Sequence, residues 1–132
     1  MGVHALIVDD SPVTRKVMRR MLKVVGLTVD EVSEAADGAE ALALCPAGVN
    51  LLLTDLHMPN MDGEQLLDAL ADRGMLRDME VIVCTSDRSS ARHAALRARG
   101  ANACLVKPFG PEALRDALVR LPMFARQAKE TG

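Results

Sequence analysis

Apolar runs along this chain repeatedly give way to stretches of helical period. Residues 3–8 (VHALIV) form a short run rich in β-formers that stops at Asp9 and Asp10. Near-continuous runs of this kind mark strands buried on both faces of a parallel sheet. Ser11 and Pro12 follow as an N-cap and a first-turn proline. Over residues 13–25, apolar side chains fall at 17, 18, 21, 22, 24 and 25, and basic ones at 15, 16, 19, 20 and 23. That spacing predicts an amphipathic helix, which Gly26 ends.

The unit then recurs. Residues 27–35 predict a more exposed, edge-like strand, Asp37 and Gly38 a turn, and residues 39–44 a short helix closed by Pro46 and Gly48. Residues 49–54 predict a strongly apolar strand that runs into Asp55. A loop over 59–63 leads to a helix from Asp62 or Gly63 to about Asp72, broken by Gly74. Residues 80–84 (EVIVC) predict a buried strand ending at Thr85 and Ser86. An arginine-rich helix runs from Ser89 or Ser90 to Arg99, and residues 102–106 form the last strand, ending at Lys107 and Pro108. Pro111 opens a final helix to about Leu121, which Pro122 interrupts. Residues 123–132 predict a frayed tail or a short helical extension. Five strand–helix units imply an α/β fold with a parallel sheet covered on both faces. One domain, residues 1–122, fills the chain, and no second output-type domain is expected.

Composition narrows the classes. Of 132 residues 49% are hydrophobic, enough for a core, yet only 2% are aromatic and there is no Trp or Tyr. The core is therefore aliphatic, and a base-stacking nucleic-acid surface is not expected. A net charge of −2 is the footprint of neither a nucleic-acid binder nor a membrane-surface protein. Cys45, Cys84 and Cys104 show no C-x-x-C spacing, and neither a signal-peptide pattern nor an apolar run of ~18 residues appears. The reading is a soluble cytoplasmic protein with reduced thiols.

The chemistry gathers at strand ends. The first strand ends in Asp9 and Asp10, the third in Asp55, the fourth in Thr85 and Ser86, the fifth in Lys107. Open parallel sheets bind ligands outside the carboxyl ends of their strands. Three carboxylates about 5–6 Å apart repel by roughly 3 kcal/mol per pair at an effective dielectric near 20. One lysine does not balance them, whereas a hard divalent ion such as Mg2+ does. Carboxylates, Mg2+, a hydroxyl and an ammonium together suit phosphoryl transfer, with one carboxylate as nucleophile.

The stretches LIVDDSPVTRKVMRRML at 6–22, EAADGAEAL at 34–42, LLLTDLHMPNMDG at 51–63, VIVCTS at 81–86 and CLVKPF at 104–109 carry a resemblance. Together they resemble the receiver domain of two-component response regulators, in the single-domain form of the small chemotaxis regulators. The resemblance covers about residues 3–121. It implies a flavodoxin-like (βα)5 fold, a doubly wound five-stranded parallel sheet in the order 2-1-3-4-5. It implies that Asp55 accepts a phosphoryl group from a sensor histidine kinase or histidine phosphotransfer protein. Asp10 would ligate Mg2+ directly, Asp9 mainly through water, and the backbone carbonyl of His57 would be a further ligand. Thr85 and Lys107 would hold the phosphoryl oxygens, the Lys107–Pro108 bond would be cis, and water would later remove the phosphoryl group. Such a phosphorelay switch acts on a downstream target protein, not on nucleic acid or membrane.

Departures from the family pattern set further expectations. Cys104 stands where the family usually carries Tyr or Phe, so the usual aromatic readout is absent or replaced. Cys104 is read as a small packed residue, with thiol sensing as its alternative. His57 and Asp87 are expected to flank the site and tune phosphoryl lifetime. The basic fourth helix (Arg88, Arg92, Arg97, Arg99) is a solvated face or, with the fifth, a partner surface. The basic first helix (Arg15, Lys16, Arg19, Arg20, Lys23) is expected to face the kinase. Two other functions compete: an aspartyl-phosphate phosphatase, disfavoured because His57 stands where a second Asp is needed, and a receiver-like scaffold that no longer takes phosphate.

Overall fold

The computed structural model describes residues 2–125. Its strands are β1 (His4–Val8), β2 (Glu31–Ala35), β3 (Leu51–Asp55), β4 (Glu80–Thr85) and β5 (Ala103–Val106). Its helices are α1 (Pro12–Val24), α2 (Gly38–Leu44), α3 (Gly63–Asp72), α4 (Ser90–Ala98) and α5 (Pro111–Val119). The strands pair in parallel in the order β2-β1-β3-β4-β5, as expected.

Alternation along the strands divides the core in two. Leu6, Val8, Leu52, Val81 and Val83 pack with Leu42, Leu66, Leu67, Leu70 and Leu96 on the α2–α3–α4 face. Ala5, Ile7, Leu51, Leu53, Ile82 and Cys84 pack with Met18, Leu22, Leu114 and Leu118 on the α1–α5 face. Each fully buried Leu or Ile is worth about 1.5–3 kcal/mol of removal from water. The central strands are thus the least free part of the molecule.

Local side chains set the boundaries. Ser11 Oγ accepts the Thr14 N–H and caps α1. At α3, Asp62 and Gln65 form a reciprocal capping box. β2 starts four residues later than the periodicity predicts, because Asp30 Oδ2 accepts the Val3 N–H at 2.7 Å in place of a ladder partner. β3 starts at Leu51 because Asn50 Oδ1 takes the His4 N–H, and it runs on to include Asp55. Pro122 opens a further helical turn over 122–125, and Phe124 is completely buried in the α1–α5 core. Packing therefore extends past the predicted boundary at 122. The rest of the expected tail, 126–132, lies outside the described residues.

Candidate functional site

The side of the sheet on which each strand ends decides what meets at its carboxyl rim. On the α1–α5 face Ala5 and Ile7 precede Asp9, Leu51 and Leu53 precede Asp55, and Ala103 and Leu105 precede Lys107. The same alternation that buries the leucines therefore delivers two carboxylates and an ammonium to one place. Lys107 Nζ lies 2.9 Å from Asp9 Oδ2 and 3.4 Å from Asp55 Oδ2. Carboxylate oxygens of Asp9, Asp10 and Asp55 all lie within 4.8 Å of one another.

Each acid has a different setting. Asp9 is buried, with Oδ1 accepting the Ser11 N–H at 2.9 Å. Its backbone carbonyl accepts Arg15 Nη1–H at 2.6 Å. Asp55 is half-buried, and its Oδ1 accepts the Leu56 N–H at 2.8 Å. Asp10 is exposed at the mouth. Gly63 brings α3 hard against this loop: its N–H donates to Leu56 O, and a Cβ there would sit 2.6 Å from the Asp55 carbonyl oxygen. Burial opposes the charge on Lys107, but the bond to Asp9 and the fields of Asp55 and Asp9 outweigh it and raise its pKa. Three carboxylates against one ammonium leave the cluster negative. Closely set hard oxygen donors with one exposed member fit a hydrated Mg2+ better than a softer metal.

Residues 5–119, from within β1 to the end of α5, match the model of the response regulator receiver domain. The chain belongs to the response regulator receiver family. A chemotaxis protein CheY homolog of Campylobacter jejuni is 34% identical over 115 residues, covering 86% of this chain and 87% of that protein. The chemotaxis response regulator CheY4 of Vibrio cholerae superimposes with a TM-score of 0.80 at 32% identity, over 91% of this chain and 98% of CheY4. A CheY-like receiver domain protein of Methanospirillum hungatei gives 0.78 at 28% identity, over 98% of this chain and 99% of that one. The receiver is a phosphorylation-dependent switch of two-component signalling, and the scaffold reading is not favoured.

The remaining expected site residues sit around the receiver's acid cluster in different ways. Thr85 has the opposite parity on β4, follows Val81 and Val83, and is completely buried. Its Oγ1 accepts the Asp87 N–H at 3.1 Å, while its carbonyl takes the Lys107 N–H at 2.8 Å. The Lys107–Pro108 peptide is cis. His57 is exposed on the β3–α3 loop beyond the buried Leu56. Asp87 is tethered: its Oδ1 accepts the Ser89 N–H at 2.8 Å, and its carbonyl accepts His93 Nε2–H at 2.7 Å.

Cys104 is half-buried on β5 and packs on the α2–α3–α4 side, whereas Cys84 belongs to the α1–α5 side. Adjacent strands thus hold the two thiols on opposite faces, too badly oriented for a disulfide. Burial raises the Cys104 pKa although Arg97 opposes it, which disfavours a sensing thiolate. Cys104 also lines a groove of about 470 Å³ between β5 and α5, with Arg97 and Arg120 beside it.

The receiver's two basic helices are only partly outward-facing. Arg15 and Arg19 of α1 both turn to Glu34 on β2, at 3.0 and 2.8 Å. Lys16, Arg20 and Lys23 stay exposed. On α4 and its flanks, Arg92 pairs with Glu64 at 2.7 Å and the C-cap Arg99 with Asp68 at 2.7 Å, both across to α3, while Arg97 and, before the helix, Arg88 face solvent. Periodicity did not single out His93 or the inward turn of Arg15. Arg15 turns to Glu34, 19 residues away, and His93 to a carbonyl of the folded-back loop at Asp87, and periodicity displays neither.

Proposed function

We propose that Asp55 is the phosphoacceptor of this receiver. What carries the reading is the Lys107 ammonium set between Asp9 and Asp55 beside an exposed third carboxylate. Asp55 Oδ2 attacks phosphorus, the P–N bond to a donor histidine breaks, and its electron pair leaves on the imidazole. Lys107 neutralises phosphoryl oxygens as they approach, and the Thr85 hydroxyl donates a hydrogen bond to another. Asp10 and Asp55 with the His57 carbonyl would hold Mg2+, with Asp9 assisting mainly through water. The ion would supply charge neutralisation on the phosphoryl oxygens. Water later attacks phosphorus and returns the carboxylate and inorganic phosphate, so the protein takes part in its own transfer and autodephosphorylation without turning over a separate substrate.

The donor is a sensor histidine kinase or histidine phosphotransfer protein. Val13, 72% exposed, and Val17 line an apolar groove with Met21, Pro108 and Phe109 that reaches Lys107. With Lys16 and Arg20 on the same helix, that face suits a helix with apolar and acidic side chains approaching Asp55. The output is an unidentified target protein. The receiver unit over 1–122, with the turn at 122–125 packed onto it through Phe124, and a cytoplasmic location belong to the same proposal, since core thiols such as Cys45 suit a reducing compartment.

A small-molecule phosphodonor with Mg2+ tests the acceptor. Wild type takes up one phosphoryl group and Asp55→Asn takes up none. Label surviving in Asp55→Asn, or absent from folded wild type, overturns the assignment. For the flanking pair we expect His57→Ala and Asp87→Ala to shift the dephosphorylation rate severalfold. Unchanged rates in both would remove them from the site.

A further inference from the structure

We infer that His93 is a positioning residue that couples Thr85 to α4, in a chain that carries Cys104 on the neighbouring strand. The inference rests on the reading of Thr85 as a phosphoryl-binding hydroxyl.

The starting observation is how little else holds α4. Among its nine residues, Leu96 is the buried one. Arg92 and Arg99 tie the helix to α3 through partly exposed ion pairs, which contribute little. A helix so weakly packed takes its position from a few directed bonds.

His93 makes those bonds to three segments at once. Its ring Nε2–H donates to the Asp87 carbonyl at 2.7 Å, which fixes the proton on that nitrogen. Its backbone N–H donates to Ser89 O at 3.0 Å. Its own carbonyl faces Cys104 Sγ of β5 at 3.9 Å, a weak thiol contact. The residue whose carbonyl it holds, Asp87, also holds the site: the Asp87 N–H donates to Thr85 Oγ1. An unbroken chain of hydrogen bonds therefore runs from the Thr85 hydroxyl through Asp87 and His93 to α4 and β5.

The consequence is mechanical. Thr85 shares the parity of Val81 and Val83, on the face away from Asp55, so its hydroxyl must move to meet a new group there, and the Asp87 N–H that it accepts is drawn with it. Asp87 is tethered at both its carboxylate and its carbonyl to the start of α4, so the disturbance is passed on to the helix. Linkage makes the path reciprocal: a partner that moves α4 alters the hold on Thr85.

Two measurements test this. The first uses the unphosphorylated protein and amide hydrogen exchange across 87–93. Thr85→Val and His93→Ala each lower protection about fivefold, the worth of one hydrogen bond. The double variant then loses little more than either single one. Losses that simply multiply overturn the coupling. The second uses NMR with Mg2+ and beryllofluoride, a phosphoryl mimic. In wild type the adduct shifts amides from 85 through α4. In His93→Ala the adduct still forms but the shifts stop in the 86–89 loop, and His93→Gln, whose amide also donates, restores them. A full α4 response in His93→Ala overturns the inference. Failure of wild type to form the adduct instead counts against Asp55 as acceptor, and the exchange cycle still decides the role of His93.

Discussion

The α1 side and the α4 side of this molecule are held in place by different physics. α1 buries Met18 and Leu22 against the central strands, and two of its arginines lock onto Glu34. Asp9, directly before it, accepts hydrogen bonds at its carboxylate from Ser11 and Lys107 and at its carbonyl from Arg15. α4 offers one buried leucine and a set of hydrogen bonds at its N-terminal end. The difference assigns the tasks. Phosphoryl chemistry needs carboxylates and an ammonium held within tenths of an ångström, and it sits where packing is dense. A readout needs an element with two accessible placements, and that is drawn from the weakly held end of the sheet.

The largest expected effect comes from removing the same side chain on either side. Leu53→Ala opens a cavity in the sheet centre and should cost about 2–5 kcal/mol of global stability. Leu96 is as completely buried, but its loss has a cheaper outlet in local detachment of α4. Urea unfolding with hydrogen exchange checks the pair. Leu96→Ala should lose protection mainly across 90–98 with a smaller change in midpoint. Equal global losses with uniform exchange would show that α4 is as cooperative as α1, and the contrast would fail.

Next in size is the lysine at the rigid site. Lys107→Met removes the charge between Asp9 and Asp55, and labelling by a small phosphodonor should fall by about 10²-fold, as when one preorganised electrostatic contact is lost. α4 amides should be unaffected in the unphosphorylated protein, because Lys107 reaches Thr85 through its backbone N–H, which Met retains. Labelling within a fewfold of wild type would move the positive end of the site elsewhere.

Much of this division could be read from residue patterns, because near-continuous apolar runs mark buried parallel strands whose carboxyl ends share one rim. Asp9, Asp55 and Lys107 gather there from the sequence alone, whereas the sheet face each takes follows from alternation along the folded strands. Capping residues such as Ser11 and Asp62 marked helix starts for the same reason: their chemistry is local. What stayed hidden depends on partners that periodicity does not display. Arg15 and Arg19 look like part of a basic outer face until Glu34, 19 and 15 residues away, claims them. His93 looks like one polar residue on an exposed helix until the loop carrying Asp87 folds back onto it. Phe124 follows a proline that reads as a stop, yet the turn Pro122 opens carries the ring into the core.

The smallest expected effect measures how much of α1's rigidity is electrostatic. Burial alone would raise the Glu34 pKa, but the bonds from Arg19 and Arg15 and their charges outweigh it, so the pKa lies below its ordinary value of 4.5. A carboxylate with a depressed folded pKa contributes stability above its unfolded pKa and loses it as pH falls through the folded one. Glu34→Gln should therefore cost no more than about 1 kcal/mol at pH 7, since the pair is partly exposed and screened. The gap between variant and wild type should narrow as pH falls from 4.5 through the folded pKa. Urea midpoints for both proteins at pH 7 and pH 3, at low and high salt, read this directly. A gap as large at pH 3 as at pH 7 would mean that Glu34 works by packing and neutral hydrogen bonding, and that α1 owes none of its fixed position to this carboxylate's charge.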